Sequence, residues 1–121
     1  MNQLSELEET FVEEYESALL LQKANKKKAV TILLSKSIFA LVDFILFKRY
    51  QLLPKNHAER FRKLEEREPE IYRILDNVWS KYTDTYSKPA VEESIMMLDR
   101  AIKEIIKKNE DFSEKIKTCV E

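Results

Sequence analysis

The absence of glycine from all 121 residues is the feature that most limits what this chain can fold into. Glycine supplies the positive-φ positions of tight β-hairpin turns and of many β-bulges, so a sheet-rich domain without it would be unusual. A helical bundle can end its helices on Asn or Lys instead. We therefore predict an all-α fold, and the length suits a single domain over residues 1–121.

Apolar residues recur at helical spacing and predict an antiparallel up-and-down bundle of four to five helices. Two capping-box patterns, SELE at 5–8 and NHAE at 56–59, predict the starts of the first helix and of a short third helix. Pro69 and Pro89 suit the first turns of a fourth and a fifth helix. Asp111 and Glu114 are expected to cap a short last turn.

The most apolar segment is AVTILLSKSIFALVDFILF, residues 29–47, which has the length of a membrane span. Lys36 and Asp43 interrupt it, and each would be unfavourable inside a bilayer. Because they lie seven residues apart, they share one face of a helix. We therefore expect a central bundle helix from about Ala29 to Tyr50, preceded by a turn at NKKK, residues 25–28, and no membrane association.

The N-terminal sequence MNQLSELEETF is acidic and has no apolar run, so it does not have the pattern of a signal peptide. Cys119 is the single cysteine, which excludes an intramolecular disulfide and is compatible with a reducing compartment. We expect a cytoplasmic protein with an inert thiol at this position.

The net charge is only −1, but the charges are unevenly distributed. Residues 1–22 carry six glutamates and no basic residue, whereas residues 23–42 carry five lysines and no acidic residue. Two interpretations stay open: an ordinary solvated helix surface, or a basic region, Lys23–Arg67, that binds RNA or a nucleotide. In the second case the contacts with nucleic acid would come from Lys26, Lys27, Lys28 and Arg49.

His57 is the only histidine and falls at the predicted start of the third helix. It could have a structural role, bonding the preceding loop or packing on the second helix. It could instead contact substrate or RNA together with Arg60. We expect no metal and no cofactor, because one histidine among scattered carboxylates is a poor ligand set.

Lys36 and Asp43 need partners if they are buried, and Tyr82, Asp84 and Tyr86 are candidates. They could form an internal polar network, a dimer contact, or a cleft that receives a nucleotide or a peptide. The candidate cleft residues are Lys36, Asp43, His57, Arg60, Tyr82 and Tyr86. Nearby aromatic residues could either pack in the core or stack on bases: Tyr72, Trp79, Tyr82 and Tyr86.

Three pieces of the chain, in this order and spacing, resemble one family: SIFALVDFIL at 37–46, LPKNHAERF at 53–61 and YTDTYS at 82–87. The sequence resembles the HEPN superfamily over roughly residues 5–108. It is most similar to small stand-alone prokaryotic members found beside minimal nucleotidyltransferases. The resemblance implies a bundle of four to five helices and frequent homodimers with a cleft between the subunits.

Many HEPN proteins are metal-independent ribonucleases that use an Arg, four to six further residues and then a His. The expected region, SKYTDTYSKPA at 80–90, contains neither Arg nor His. Arg49 precedes His57 with seven residues between them, and Arg60 and Arg62 follow it. The resemblance therefore implies a protein that is not an enzyme, but a dimeric adaptor or antitoxin-like partner of a nucleotidyltransferase. The alternative is RNA or nucleotide binding through Lys23–Arg67.

Overall fold

A computed structural model describes residues 2–121, and this part of the chain contains no β-strand. The all-α prediction is confirmed. Within residues 2–121, six α-helices are joined by short turns, with one 3₁₀ turn (Asp84–Tyr86) between the fourth and the fifth. The helices are α1 (Gln3–Lys23), α2 (Lys27–Tyr50), α3 (His57–Arg67), α4 (Pro69–Thr83), α5 (Glu92–Lys108) and α6 (Glu114–Cys119).

Side-chain caps explain where several helices begin. Asn56 Oδ1 accepts a hydrogen bond from the backbone N–H of Glu59 at 2.9 Å, which confirms the predicted start of α3. Pro69 lies in the first turn of α4, also as predicted, where its missing N–H has no helical partner to lose. The cap of α6 is Ser113, which accepts from the N–H of Ile116, and not one of the two residues predicted to cap this turn.

Three predicted boundaries were wrong. α1 begins before SELE because Asn2 caps it, accepting from the N–H of Ser5 at 2.8 Å. α2 begins at Lys27, inside the predicted turn. Pro89 lies in a loop and α5 starts after Val91, because the 3₁₀ turn follows directly on α4 and delays the next helix.

Two non-glycine residues take the left-handed backbone conformation at helix ends. Asn25 follows α1 with φ of 60°, and Gln51 ends α2 with φ of 55°. At the second position the N–H of Gln51 bonds the carbonyl of Phe47 at 2.8 Å, which satisfies an acceptor at the helix end. Residues with a side chain thus take the role that glycine usually has at helix ends.

α2 is the centre of the fold and is buried on nearly all sides. Fourteen of its residues are buried. The ten apolar ones, including Ile38, Leu41 and Ile45, pack in one core with residues of α1, α4 and α5. Among residues 2–121 it is the one helix with the length and hydropathy of a membrane span, and 78% of that apolar window is buried within the fold.

The contacts along α2 define the direction of its neighbours. Phe39 packs on Tyr82 while Arg49 pairs with Glu68, so α2 and α4 are antiparallel. α4 and α5 are also antiparallel, because Glu70 in the first turn of α4 pairs with Lys108 at the end of α5.

α3 does not follow the predicted alternation. Phe39 contacts His57, Asp43 pairs with Arg60, and Tyr50 bonds the carbonyl of Arg67. Residue numbers therefore increase in the same direction along α2 and α3. The loop at 51–56 carries the chain back along α2 before α3 begins, and α3 therefore runs parallel to the second half of α2.

Replacing Gln51 with glycine should raise the free energy of unfolding by about 0.5–1 kcal/mol, because a residue with a Cβ is strained in the left-handed region. Asn25→Gly is the matched control. Its free energy of unfolding should rise by less, because asparagine tolerates this conformation. Urea denaturation followed by circular dichroism measures both. A Gln51→Gly protein less stable than the parent would contradict this account of the end of α2.

Candidate functional site

Asp43 and Arg60 form a buried, two-pronged ion pair between α2 and α3. Arg60 Nε donates to Asp43 Oδ1 and Arg60 Nη2 donates to Asp43 Oδ2, each at 2.8 Å. The residues are 7% and 9% exposed, which makes this the most buried ion pair in the described part of the chain. Burial raises the pKa of the Asp43 carboxyl, and the hydrogen bonds from Arg60 oppose that rise.

The remaining guanidinium nitrogen of Arg60 is directed at His57. Arg60 Nη1 lies 2.7 Å from His57 Nδ1. Because a guanidinium can only donate, His57 Nδ1 accepts, and the ring proton of the neutral imidazole is then on Nε2. Partial burial and the positive charge of Arg60 both lower the pKa of His57. The only histidine is therefore held neutral as a hydrogen-bond acceptor.

Aromatic rings enclose this polar trio. The ring centroids of Phe39 and Trp79 lie 4.8 Å and 5.0 Å from that of His57, both edge-on, and Tyr82 lies at 5.8 Å. The guanidinium of Arg60 also lies over Phe39, at 5.0 Å from the ring centre. Within residues 2–121, the crevice between Phe39, Trp79 and Tyr82 has no space for a water molecule. We conclude that these aromatic side chains fill the interior and leave no cavity for a base.

Tyr86 extends the cluster to the surface. Its hydroxyl lies 3.2 Å from that of Tyr82, and this hydrogen bond is the main reason that the pKa of Tyr82 is raised. Tyr86 itself is 76% exposed. It is the most exposed aromatic side chain of the cluster.

The six predicted cleft residues are brought together only in part. Asp43, His57, Arg60 and Tyr82 form one cluster, and Tyr86 joins it through Tyr82. Lys36 is exposed and forms no ion pair with another described residue. Burial raises the pKa of Glu14, and the charge of Lys36 opposes that rise.

The partner expected for Asp43 on the fourth helix was wrong, because α3 lies between Asp43 and the solvent and supplies Arg60. Asp84, one of the expected partners, instead pairs with Lys88 at the surface, at 3.6 Å.

Arg49, predicted to contact nucleic acid, is occupied within the chain. It donates to Glu68 from Nη1 at 2.8 Å, to Asp111 from Nε at 3.1 Å, and to Asp111 and Asn109 from Nη2. The hydrogen bonds with Asp111 are the main reason that the pKa of Arg49 is raised and that of Asp111 lowered. Arg49 thus joins the end of α2 to the α3–α4 junction and to the loop after α5.

The lysines predicted to contact nucleic acid are not engaged within the chain as Arg49 is. Lys26, Lys27 and Lys28 are all exposed, and none forms an ion pair with a residue in the described range. They lie at the start of α2, where no side chain caps the helix. Three positive charges at the positive end of a helix dipole repel one another and the helix end, and a bound anion would relieve that repulsion.

Metal binding and a reactive thiolate have little geometric support. The described residues contain no group of three or more His, Cys, Asp and Glu side chains arranged to hold a metal ion. Cys119 is half-buried, and burial together with the charge of Glu16 raises the pKa of its thiol, which disfavours the reactive thiolate.

Sequence reasoning named Asp43 and Arg60 separately but missed that they pair. A usable signal was present: Arg60 lies one turn after His57 and one turn before buried Leu64, on the inner face of α3. A buried carboxylate on α2 needs a cation, and this face offers one. The Arg49 contacts gave no comparable signal, since Glu68, Asn109 and Asp111 lie in or beside irregular segments.

Neither a scan against protein-family models nor searches of curated proteins and of solved structures finds a match to this chain. The interpretation of the site therefore rests on its residues and their geometry.

Changing Arg60 to methionine should lower the free energy of unfolding by about 3–5 kcal/mol, because Asp43 would remain charged and buried without a partner. The double variant Asp43→Leu with Arg60→Met should recover most of this loss, since neither charge is then buried. Chemical denaturation of the three proteins measures the effect. An Arg60→Met protein whose free energy of unfolding lies within about 1 kcal/mol of the parent's would contradict the role of this pair.

Proposed function

We propose that this protein is a non-catalytic module of the HEPN type, a homodimeric helical adaptor or antitoxin-like partner of a nucleotidyltransferase. The order and spacing of SIFALVDFIL, LPKNHAERF and YTDTYS support the family assignment. The all-helical fold is compatible with it.

The observation that carries the non-catalytic part is the hydrogen bond from Arg60 to His57. A nuclease histidine must accept or donate a proton at the reacting oxygen, and an arginine beside it must reach the phosphate. Here the Nδ1 lone pair is already used by Arg60. All three nitrogens of Arg60 are engaged within the chain, so reorienting it toward phosphate would leave Asp43 unpaired.

The adaptor part is supported by a polar groove between α4 and α5, with a volume of about 590 Å³. Arg73 and Arg100 line it together with Asp76 and Glu104, so both signs of charge face the same groove. Neither arginine forms an ion pair with another described residue. A surface of mixed charge suits a protein partner, because complementary charges favour one partner and orientation over others.

RNA or nucleotide binding is the second candidate, and the exposed lysines at 26–28 favour it. Their repulsion at the start of α2 would be relieved by phosphate groups. Within the basic region Lys23–Arg67, Arg49 is not available to phosphate, since it is engaged by Glu68 and Asp111.

Affinity capture of the tagged protein from its own host, with and without nuclease and followed by mass spectrometry, tests both candidates. The adaptor proposal expects a nucleotidyltransferase in stoichiometric amount that nuclease does not remove. RNA binding expects nuclease-sensitive material only, lost in a variant with Lys26, Lys27 and Lys28 changed to Glu. A strictly monomeric protein that captures neither would contradict the proposal.

A further inference from the structure

Two side-chain hydrogen bonds join α1 to α5, and an opening lies between them. Tyr15 donates to Asp99 Oδ1 at 2.7 Å, and Gln22 Nε2 donates to Glu92 Oε1 at 2.9 Å. Residue numbers rise along α1 and fall along α5 from the first bond to the second, so the two helices are antiparallel. The bonded positions on α1 are two helical turns apart, which is about 10 Å along the axis. We call the space between the two bonds the α1–α5 cavity.

The α1–α5 cavity has a volume of about 210 Å³ and a largely apolar lining. Val30 and Leu34 of α2 and Ile95 of α5 line it and are buried. Leu19 and Met96 also line it, although they are 45% and 54% exposed. An apolar group bound between these two side chains would remove them from water, which is favourable.

One end of the cavity has a buried acceptor without a donor. Gln22 lines the cavity, and its Oε1 is buried and accepts no hydrogen bond from a described residue. The hydrogen bond from Nε2 to Glu92 fixes the orientation of the amide, because turning the amide over would place Oε1 against a carboxylate. A buried carbonyl oxygen without a donor is unfavourable, so this end of the cavity favours a ligand that carries a hydrogen-bond donor.

Two carboxylates in the lining determine the charge that such a donor group should have. Asp99 is already engaged, since Oδ1 accepts from Tyr15 and Oδ2 pairs with Lys103 at 2.9 Å. Glu92 forms no ion pair with a described residue, and its Oε2 has no hydrogen-bond partner in that part of the chain. No described lysine or arginine lines the cavity. A cationic head group is therefore expected at the Glu92 end.

A single ammonium group can reach both acceptors at that end. The nitrogen and the oxygen of one amide lie less than about 2.6 Å apart, so Gln22 Oε1 lies within about 5.5 Å of Glu92 Oε1. An ammonium nitrogen donates three hydrogen bonds of about 2.8 Å, which span two such acceptors. An unbranched chain of about six carbons is roughly 8 Å long and fits the distance between the two bonds.

We propose that the α1–α5 cavity binds a primary aliphatic amine. Its ammonium group lies between Gln22 Oε1 and Glu92, and its chain packs on Leu19, Ile95 and Met96. The ammonium supplies the donor that Gln22 Oε1 lacks and a counter-ion for Glu92. This binding site goes beyond the proposed function and does not depend on it, because none of its residues lines the groove between α4 and α5.

NMR titration of the ¹⁵N-labelled protein with hexylammonium at pH 7 and constant ionic strength tests the site. The backbone signals of Leu19 and Met96 and the side-chain amide signals of Gln22 should shift and saturate. 1-Hexanol and hexanoate have the same chain length and serve as comparison probes. Hexylammonium should bind at least about tenfold more tightly than 1-hexanol, because its hydrogen bonds are charge-assisted. Hexanoate should not bind, since its carboxylate would lie beside Glu92.

Variants at the two ends of the ligand test the contacts separately. Glu92→Gln should raise the dissociation constant of hexylammonium at least about fivefold, because the counter-ion is lost. Glu93→Gln is the matched control, since Glu93 is the neighbouring residue, is exposed, lies outside the lining and changes the net charge equally. It should bind as the parent does. Met96→Ser should weaken binding by removing part of the apolar contact, and circular dichroism checks that each variant is folded.

Equal affinity for hexylammonium and 1-hexanol would overturn the ammonium assignment. Equal losses of affinity in Glu92→Gln and Glu93→Gln would indicate attraction to acidic surface in general and would overturn the site. The absence of saturable shifts at Leu19, Gln22 and Met96 would overturn it as well. Each of these results would leave the proposed function intact, because that function is tested by the proteins or nucleic acid that the chain captures.

Discussion

The ion pair between Asp43 and Arg60 is the interaction on which the arrangement of α3 depends. Asp43 lies on α2, in the most apolar part of the molecule, where an unpaired carboxylate would be strongly unfavourable. Only a side chain that reaches across from a neighbouring helix can neutralise it, and Arg60 does so with two parallel hydrogen bonds. The pair fixes the register of α3 against α2, and that register places His57 beside Phe39 and Trp79. Arg60 therefore has two roles. It anchors α3 by pairing with Asp43, and it also donates to the Nδ1 nitrogen of His57.

Two arginines of the basic region Lys23–Arg67, Arg49 and Arg60, have comparable roles in different parts of the molecule. Arg60 anchors α3 in the interior, whereas Arg49 holds the end of α2 against Glu68 and Asp111 near the surface. Both are engaged by every guanidinium nitrogen, so neither contributes a free positive charge. The unpaired basic charge of the described chain lies in exposed lysines, in Arg62 and Arg67, and in the groove between α4 and α5. Functional hypotheses for this protein therefore belong to its outer faces.

Much of the helical architecture could be read from the sequence, because its causes are local. The absence of glycine, the apolar spacing, the cap at Asn56 and the first-turn Pro69 act within a few residues. The start of α5 could not be read in this way, since Pro89 is as compatible with a loop as with a first turn. The direction of α3 depends on Asp43 meeting Arg60, a contact between residues seventeen positions apart that no local pattern encodes. The candidate cleft was predicted in part for the same reason: its members were recognisable as polar or aromatic residues in an apolar setting, but their pairing is tertiary.

The central claim is that Arg60 holds His57 as a neutral acceptor, and the protonation of that one imidazole tests it most directly. Because the chain has a single histidine, ¹⁵N NMR of the labelled protein reports its two ring nitrogens without assignment ambiguity. Titration from pH 8 to pH 4 should give a midpoint below the ordinary value of about 6.5, with the neutral ring protonated on Nε2. Arg60→Met, if it remains folded, should move the midpoint upward. A parental midpoint above 6.5, or a neutral ring protonated on Nδ1, would contradict the account and return His57 to the candidates for proton transfer.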